Sequence, residues 1–200
     1  MTIVLIMEGE TEAALKVHLK AFLDQRAALE GKPSVRLKTK PEVGRGKGAF
    51  HKRIRLELAE PGVSAVVALV DVYPDYANAA EAKRDLYAKG GSPPNFYTHA
   101  AQHDVEAWLL PFWDEICQHL GVSQGPPGAN PEGVDRDRPP SVRLKELYGR
   151  AKQPKRSYHK VTEMRRILKG KDLAVIASQC PEFKQLLNRL LTLSDLTPLP

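Results

Sequence analysis

The sequence has few cysteines and no long apolar run, and each shortage excludes a class of protein. Only Cys117 and Cys180 are cysteines among 200 residues; they form no zinc-ligand spacing and are too few for a disulfide framework. We expect both thiols to be reduced and partly buried. No apolar run approaches the roughly 20 residues that a membrane-spanning helix needs. The first apolar stretch also follows no basic region, so we expect a cytoplasmic protein without a membrane partner.

A nucleotide-binding P-loop is also missing. The glycine-rich stretch 44–48 lacks the Gly-Lys-Ser/Thr ending of such a loop and follows a polar strand. Two interpretations stay open. Arg45, Lys47 and Lys52 could contact the backbone of a nucleic acid, or the stretch is a solvated turn before a charged helix face. The net charge of +6 favours a polyanionic partner.

The apolar pattern that is present predicts an α/β fold. Ile3–Met7 and Val63–Val70 are apolar almost without alternation, as in strands buried on both faces of a parallel sheet. Val35–Lys38 alternates and predicts a strand towards the edge, while 95–102 predicts a fourth strand. The segments between these strands carry apolar residues at helical spacing. We therefore expect a mostly parallel four-stranded sheet with helices on both faces, and the strand order 2-1-3-4.

The C-terminal part of the chain, from residue 121, differs in composition from the rest. Residues 121–140 are rich in Gly, Pro and Asp, which predicts a long irregular loop after an α/β domain of residues 1–120. Residues 141–200 read as a basic helical extension packed on that domain, with Ser141 as a helix cap and Pro181 beginning the last helix. Phosphate contacts are predicted from Arg143, Arg156 and Lys160. In the alternative, Lys160 and Arg143 only bridge to the acidic edge of the sheet.

Carboxylates stand where two buried-type strands end. Glu8 follows the first strand and Asp71 ends the third, and open α/β sheets bind ligands at this carboxyl edge. Glu12, Asp75 and Glu106 are expected close by, although Glu12 could merely favour the positive end of a helix dipole. Clustered oxygen ligands suit Mg²⁺ or Mn²⁺.

The segment His103-Asp104-Val105-Glu106 begins a helix after the fourth strand. Asp104 is predicted to be its N-cap, while His103 and Glu106, three residues apart, can project together. His103 is either a proton-transfer group or a hydrogen-bonded histidine that fastens the end of the strand. Glu106 is either a metal ligand or a carboxylate that stabilises the first helical turn.

Several short motifs in this order carry a family resemblance. They are Glu8-Gly9-x-Thr11-Glu12, Asp71-x-Tyr73, His103-Asp104-x-Glu106-Ala107, Asn130-Pro131-Glu132, residues 140–144, Tyr158-His159-Lys160 and Cys180-Pro181-Glu182-Phe183. Together they resemble the TOPRIM-like proteins of domain-of-unknown-function family 4276. That resemblance implies a TOPRIM-like sheet and a metal site similar to that of OLD-type nucleases. Two positions depart from the pattern: Tyr73 holds the second acidic place of an Asp-x-Asp motif, and Asp104 replaces a glutamate.

The residues and the resemblance together predict a metal-dependent nuclease. Its expected catalytic residues are Glu8, Asp71, His103 and Glu106, and its expected Mg²⁺ or Mn²⁺ ligands are Glu8, Glu12, Asp71, Asp75 and Glu106. The resemblance alone adds a defence system with an ATPase partner. The alternative is a non-catalytic module that binds nucleic acid or protein on the same scaffold. The choice between DNA and RNA, and the oligomeric state, stay open.

Overall fold

The structure, a computed structural model, describes residues 1–7, 10–41, 47–151 and 157–200, and only the backbone of 10–13, 41 and 47–49. Its strands are β1 (Thr2–Met7), β2 (Arg36–Pro41), β3 (Val63–Asp71) and β4 (Phe96–Ala101). Its α-helices are α1 (Glu10–Leu29), α2 (Lys47–Ala59), α3 (Ala79–Lys89), α4 (Trp113–Leu120), α5 (Pro140–Gly149), α6 (Lys160–Leu168), α7 (Leu173–Gln179) and α8 (Pro181–Leu193). Two 3₁₀ helices span Val105–Phe112 and Pro131–Gly133.

The sheet has the order β2-β1-β3-β4, and each neighbouring pair is parallel. This confirms the predicted order, with β2 at an edge and β1 beside β3 in the centre. Met7 at the end of β1 pairs with Leu69 of β3. The carboxyl ends of the two central strands therefore lie side by side, where the sequence predicts the site.

Helices cover both faces of the sheet, which explains the unbroken apolar runs. Successive side chains of a strand point to opposite faces. Val4 and Ile6 pack with Phe50 and Ile54 of α2 and with α3, whereas the odd-numbered residues of β1 pack with α1. All six residues of β1 are buried, because neither face meets water.

The helices after residue 140 belong to one of these two cores. Leu144, Met164, Ile176 and Leu187, from α5, α6, α7 and α8, share a buried cluster with β1 and α1. Pro181 begins α8 as predicted. The prediction that Ser141 caps α5 is wrong, since the helix begins at Pro140 and its N-cap position is a proline without a side-chain capping bond.

The cysteines and the lengths of the helices bear on two further expectations. Cys117 and Cys180 form no disulfide and are buried, and burial raises the pKa of both. In the described ranges, no helix is both long enough and apolar enough to cross a membrane.

Candidate active site at the carboxyl edge

Backbone hydrogen bonds bring the ends of β3 and β4 together. Asp71 and Ala101 pair at the last position of the two strands. Val72 N–H then donates to Ala101 O over 3.1 Å, and Tyr73 N–H donates to His103 O over 2.6 Å. The loop after β3 is thus tied to the turn after β4, and Asp71 lies beside the segment that carries Asp104 and Glu106.

The turn after β4 is held by side chains from other elements. His103 has φ +70°, a left-handed conformation that costs roughly 1–2 kcal/mol for a residue with a side chain. Asp71 Oδ1 accepts a 3.0 Å hydrogen bond from Val105 N–H, at the start of the 3₁₀ helix Val105–Phe112. The end of β3 therefore fixes the direction in which the chain leaves the turn.

The side chain of Asp104 does not cap its own helix as predicted. It occupies the N-cap position but makes no capping bond there; instead its Oδ2 accepts a 3.1 Å hydrogen bond from Ser141 N–H in the first turn of α5. The predicted N-cap position is confirmed, but the predicted capping bond is not formed: Asp104 Oδ2 binds the amino end of α5, and Ala107 N–H donates to the backbone oxygen of Asp104 instead.

Asp104 and Glu106 form a buried acidic pair. Their exposed fractions are 3% and 0%. Glu106 Oε2 and Asp104 Oδ1 are buried without a hydrogen-bond partner among the residues that the structure describes. Burial raises the pKa of both carboxyl groups, and the charge of Asp104 raises that of Glu106 further. Burial therefore favours the protonated form of both carboxyl groups.

Lys160, at the start of α6, is the cation that the structure places against this pair. Its Nζ lies 2.9 Å from Glu106 Oε1. Burial lowers the pKa of Lys160, but Glu106, Asp71 and Asp104 outweigh burial and hold the pKa above its ordinary value. Three carboxylates thus act on one ammonium group. This contact matches the alternative in which Lys160 bridges to the acidic edge.

A tyrosine two residues earlier borders the same pair. The Tyr158 hydroxyl is buried and has no hydrogen-bond partner within the described ranges. Burial, followed by the charges of Glu106 and Asp104, raises the pKa of Tyr158. The phenol is therefore protonated at neutral pH and keeps an O–H donor at the site.

The His103 side chain faces a different segment. It is 6% exposed, and burial followed by the charge of Arg136 lowers its pKa, in spite of hydrogen bonds with the backbone of Glu132 and Val134. Arg136 itself donates to Pro74 O over 3.0 Å and to Ala77 O over 3.1 Å. A neutral His103 and Arg136 thus join the loops after β3 and β4 to residues 132–136.

The other predicted site residues fall into three groups. Asp75 and Lys52 are exposed, in the loop after β3 and on α2. Arg143 is half-buried in the first turn of α5 and donates to Arg138 O over 2.7 Å. The remaining predicted residues lie outside the described residues or have side chains that are not described: Glu8, Glu12, Arg45, Lys47 and Arg156. Within the described set, no group of three or more His, Cys, Asp and Glu residues could hold a metal ion.

A comparison with known families places this cluster inside one family domain. The model of a family described as "Domain of unknown function (DUF4276)" matches residues 7–191. The chain belongs to this family. No curated protein and no solved structure matches it. The DUF4276 match covers Asp71, Asp104, Glu106, Tyr158 and Lys160, so the whole described cluster lies within the family's domain.

Glu132 is a residue of this DUF4276 domain for which sequence reasoning gave no role. It is 8% exposed; its Oε1 accepts from Trp108 Nε1–H over 3.1 Å, and its Oε2 accepts from Glu182 N–H over 3.0 Å. Glu132 therefore joins the 3₁₀ helix of the site to the amino end of α8. The motif Asn130-Pro131-Glu132 was the one sequence feature that pointed to Glu132, and it carries no information about its hydrogen-bond partners.

Glu132→Gln should destabilise the protein by about 1–3 kcal/mol, because the amide N–H₂ would face an N–H donor inside the protein. Denaturant unfolding measures the change. Glu146→Gln is the matched control, since Glu146 is 42% exposed and pairs with Arg138 on the surface; its expected change is within about 0.5 kcal/mol. Equal effects of the two variants would contradict the joining role of Glu132.

The raised pKa of Glu106 predicts that the free energies of unfolding of the parent and of Glu106→Gln differ by an amount that depends on pH. Folded Glu106 keeps its proton at pH values where the unfolded chain has lost it, so parent stability falls as pH rises above about 4.3. The free energy of unfolding of the parent minus that of the variant should fall by up to about 1.4 kcal/mol per pH unit until Glu106 titrates. Urea unfolding with EDTA between pH 4 and 7 measures it. A difference that rises with pH would show that the Lys160 ion pair outweighs burial.

Proposed function

We propose that the chain hydrolyses phosphodiester bonds of nucleic acid with the help of Mg²⁺ or Mn²⁺ at the carboxyl edge of the sheet. One observation carries the proposal: a buried carboxylate pair at the exit of β4 leaves two oxygens without partners and lies beside the last residue of β3. Buried carboxylates need a compensating cation or protons. A hard divalent cation is the natural partner of such oxygens.

In this proposal the described side chains would supply only part of the ligand set of the ion. Asp71 and Glu106 would supply ligands, with Asp104 beside them, and the described residues include no group of three that could hold a metal. We therefore assign a further ligand to Glu8, which follows the strand next to β3. Glu12 and Asp75 stay candidates for outer positions. The likeness to TOPRIM metal sites supports Glu8 and Asp71 as ligands. Tyr73, which is 40% exposed, stands where that motif has its second acidic residue, so this position supplies no carboxylate.

The chain's own groups would position the substrate and balance its charge. When bound, the metal would polarise a phosphoryl oxygen and stabilise the developing charge. Lys160, paired with Glu106 at 2.9 Å, would hold Glu106 in place and supply positive charge near the reacting phosphate. The protonated Tyr158 supplies a further donor. We assign His103 to positioning, because its side chain binds the backbone of residues 132 and 134.

The strand of nucleic acid would be held by basic residues around the same edge. We propose Lys52 and Arg143, together with Arg45, Lys47 and Arg156, as contacts to the phosphate backbone. A further role in defence, with an ATPase partner, rests on the family resemblance alone.

A second function is favoured by the Lys160–Glu106 ion pair. This contact already supplies a cation to the cluster, so the same scaffold can serve as a non-catalytic module that binds nucleic acid or protein. Cleavage assays separate the two functions: purified protein is incubated with single- and double-stranded DNA and with RNA, in Mg²⁺, Mn²⁺ or EDTA. Cleavage that requires the metal supports the nuclease. Binding without cleavage in any metal supports the module.

A further inference from the structure

A cavity of about 530 Å³ lies away from the carboxylate cluster, between β4 and α8. β4 is an edge strand. Thr98 faces α3, where its Oγ1 donates to Lys83 O over 3.0 Å, so the neighbouring His99 points to the opposite face, which α8 covers. The cavity is lined there by His99 together with Lys184, Gln185 and Arg189. Its volume is in the range of small-molecule sites.

The inner wall of this cavity holds a histidine without a partner. His99 is 6% exposed, and its Nδ1 is buried with no hydrogen-bond partner in the part of the chain that is described. Buried ring nitrogens are normally paired, because an unpaired one loses its bonds to water. Burial, followed by the charges of Arg189 and Lys83, lowers the pKa of His99 to about 3. The imidazole is therefore neutral, with cations close to it.

The rim of the cavity carries uncompensated positive charge. Lys83 is neutralised by Glu182, at 2.7 Å, and contacts Gln185 Oε1 at 3.1 Å. By contrast, neither Lys184 nor Arg189 has a carboxylate within 4.0 Å among the described side chains. The Arg189 guanidinium lies over the Tyr97 ring, with Cζ 4.3 Å from the ring centroid. A cation–π contact of this kind uses the charge of the guanidinium but does not require its N–H donors.

From this geometry we propose a second ligand site that binds a phosphate group. Arg189 and Lys184 would bind its oxygens, the planar fork of arginine being suited to two of them. The His99 imidazole and the Gln185 amide would complete the polar contacts. The cavity has room for more than a phosphate ion, so we assign the phosphate to a larger molecule, a nucleotide or a nucleic-acid strand, and the probes below distinguish these sources. The proposal does not rest on the proposed nuclease function, because no residue of the carboxylate cluster lines this cavity.

Calorimetric titration of the full chain in EDTA, at fixed ionic strength, tests the site with three probes: inorganic phosphate, adenosine 5′-monophosphate and a short oligodeoxynucleotide. We expect binding that Arg189→Gln and Lys184→Gln each weaken by about 10- to 100-fold, as for the loss of a charged hydrogen bond. Lys169→Gln, an exposed lysine outside the cavity, should leave the affinity unchanged. Tight binding of the monophosphate identifies a nucleotide site, whereas binding of the oligonucleotide alone identifies a nucleic-acid strand.

The imidazole signals of His99 in the parent protein give a readout that needs no variant of the buried residue. They should shift when phosphate or the tightest probe is added, and acetate at the same ionic strength should leave them in place. The proposal is overturned if none of the three probes binds. It is also overturned if Arg189→Gln with Lys184→Gln binds as tightly as the parent, or if the His99 signals do not move at saturation.

Discussion

Asp71→Asn should abolish metal-dependent cleavage, to below about 0.1% of the parent rate, while the protein stays folded. The substitution keeps an Oδ1 acceptor for the 3.0 Å bond from Val105 N–H, so the turn after β4 retains its support. It removes the charge, and a neutral amide oxygen is a much weaker ligand for a hard divalent cation than a carboxylate. Loss of a needed metal ligand removes nearly all of the contribution of the metal to catalysis.

The matched control for this variant is Asp114→Asn. Asp114 is an exposed aspartate in the first turn of α4, so the same change of charge is made away from the cluster. Cleavage rate and melting temperature are measured on both variants. Full activity in Asp71→Asn would show that Asp71 is not a metal ligand needed for cleavage. Equal losses of activity in both variants would point to the change in net charge as the cause.

Lys160→Met should lower the cleavage rate by about 100- to 1,000-fold, the effect typical of removing one preorganised electrostatic group. Methionine keeps the length of the side chain but not the ammonium group that lies 2.9 Å from Glu106 Oε1. Because that group is engaged with Glu106, the salt dependence of nucleic-acid binding should stay unchanged. If Lys160 were instead a contact to the phosphate backbone, the slope of log affinity against log salt would flatten by about one unit.

Lys160→Met leaves Glu106 buried without its ion-pair partner, so folding has to be measured alongside cleavage. The double variant Glu106→Gln with Lys160→Met removes both charges and should recover stability relative to Lys160→Met. Lys169→Met, an exposed lysine just beyond α6, is the control for salt dependence. A normal cleavage rate in folded Lys160→Met, together with a flattened salt slope, would show that Lys160 contacts the phosphate backbone and is not needed for cleavage.

The strands were predictable because their signal is local. Val63–Val70 is apolar apart from Ser64, and β3 spans Val63–Asp71, so the run ends where the chain reaches the carboxyl edge. The parallel direction of the strands followed from the helices that separate them in the sequence. Asp71 could therefore be placed at the site from sequence, because its position at the strand end depends on nothing farther along the chain.

The contacts inside the site were not predictable, because each joins segments far apart in sequence. Asp104 reads as a cap for its own helix, yet its Oδ2 binds Ser141 N–H, and that contact depends on where α5 packs. Lys160 reads as one basic residue among several, and its pairing with Glu106 depends on α6 packing against the 3₁₀ helix. His103 had two open roles, and the loop of residues 132–136 decides its partners. Hydrophobic periodicity carries no information on these pairings.

The central claim is that the carboxyl edge of the sheet binds a divalent metal ion, and anomalous diffraction from crystals soaked in Mn²⁺ tests it most directly. We predict one anomalous peak within about 2.0–2.6 Å of carboxylate oxygens of Asp71 and Glu106, the range of hard divalent cations. The peak should be absent from Asp71→Asn crystals soaked in the same way. Saturating Mn²⁺ without a peak at this edge, with the Lys160–Glu106 ion pair intact, would contradict the account.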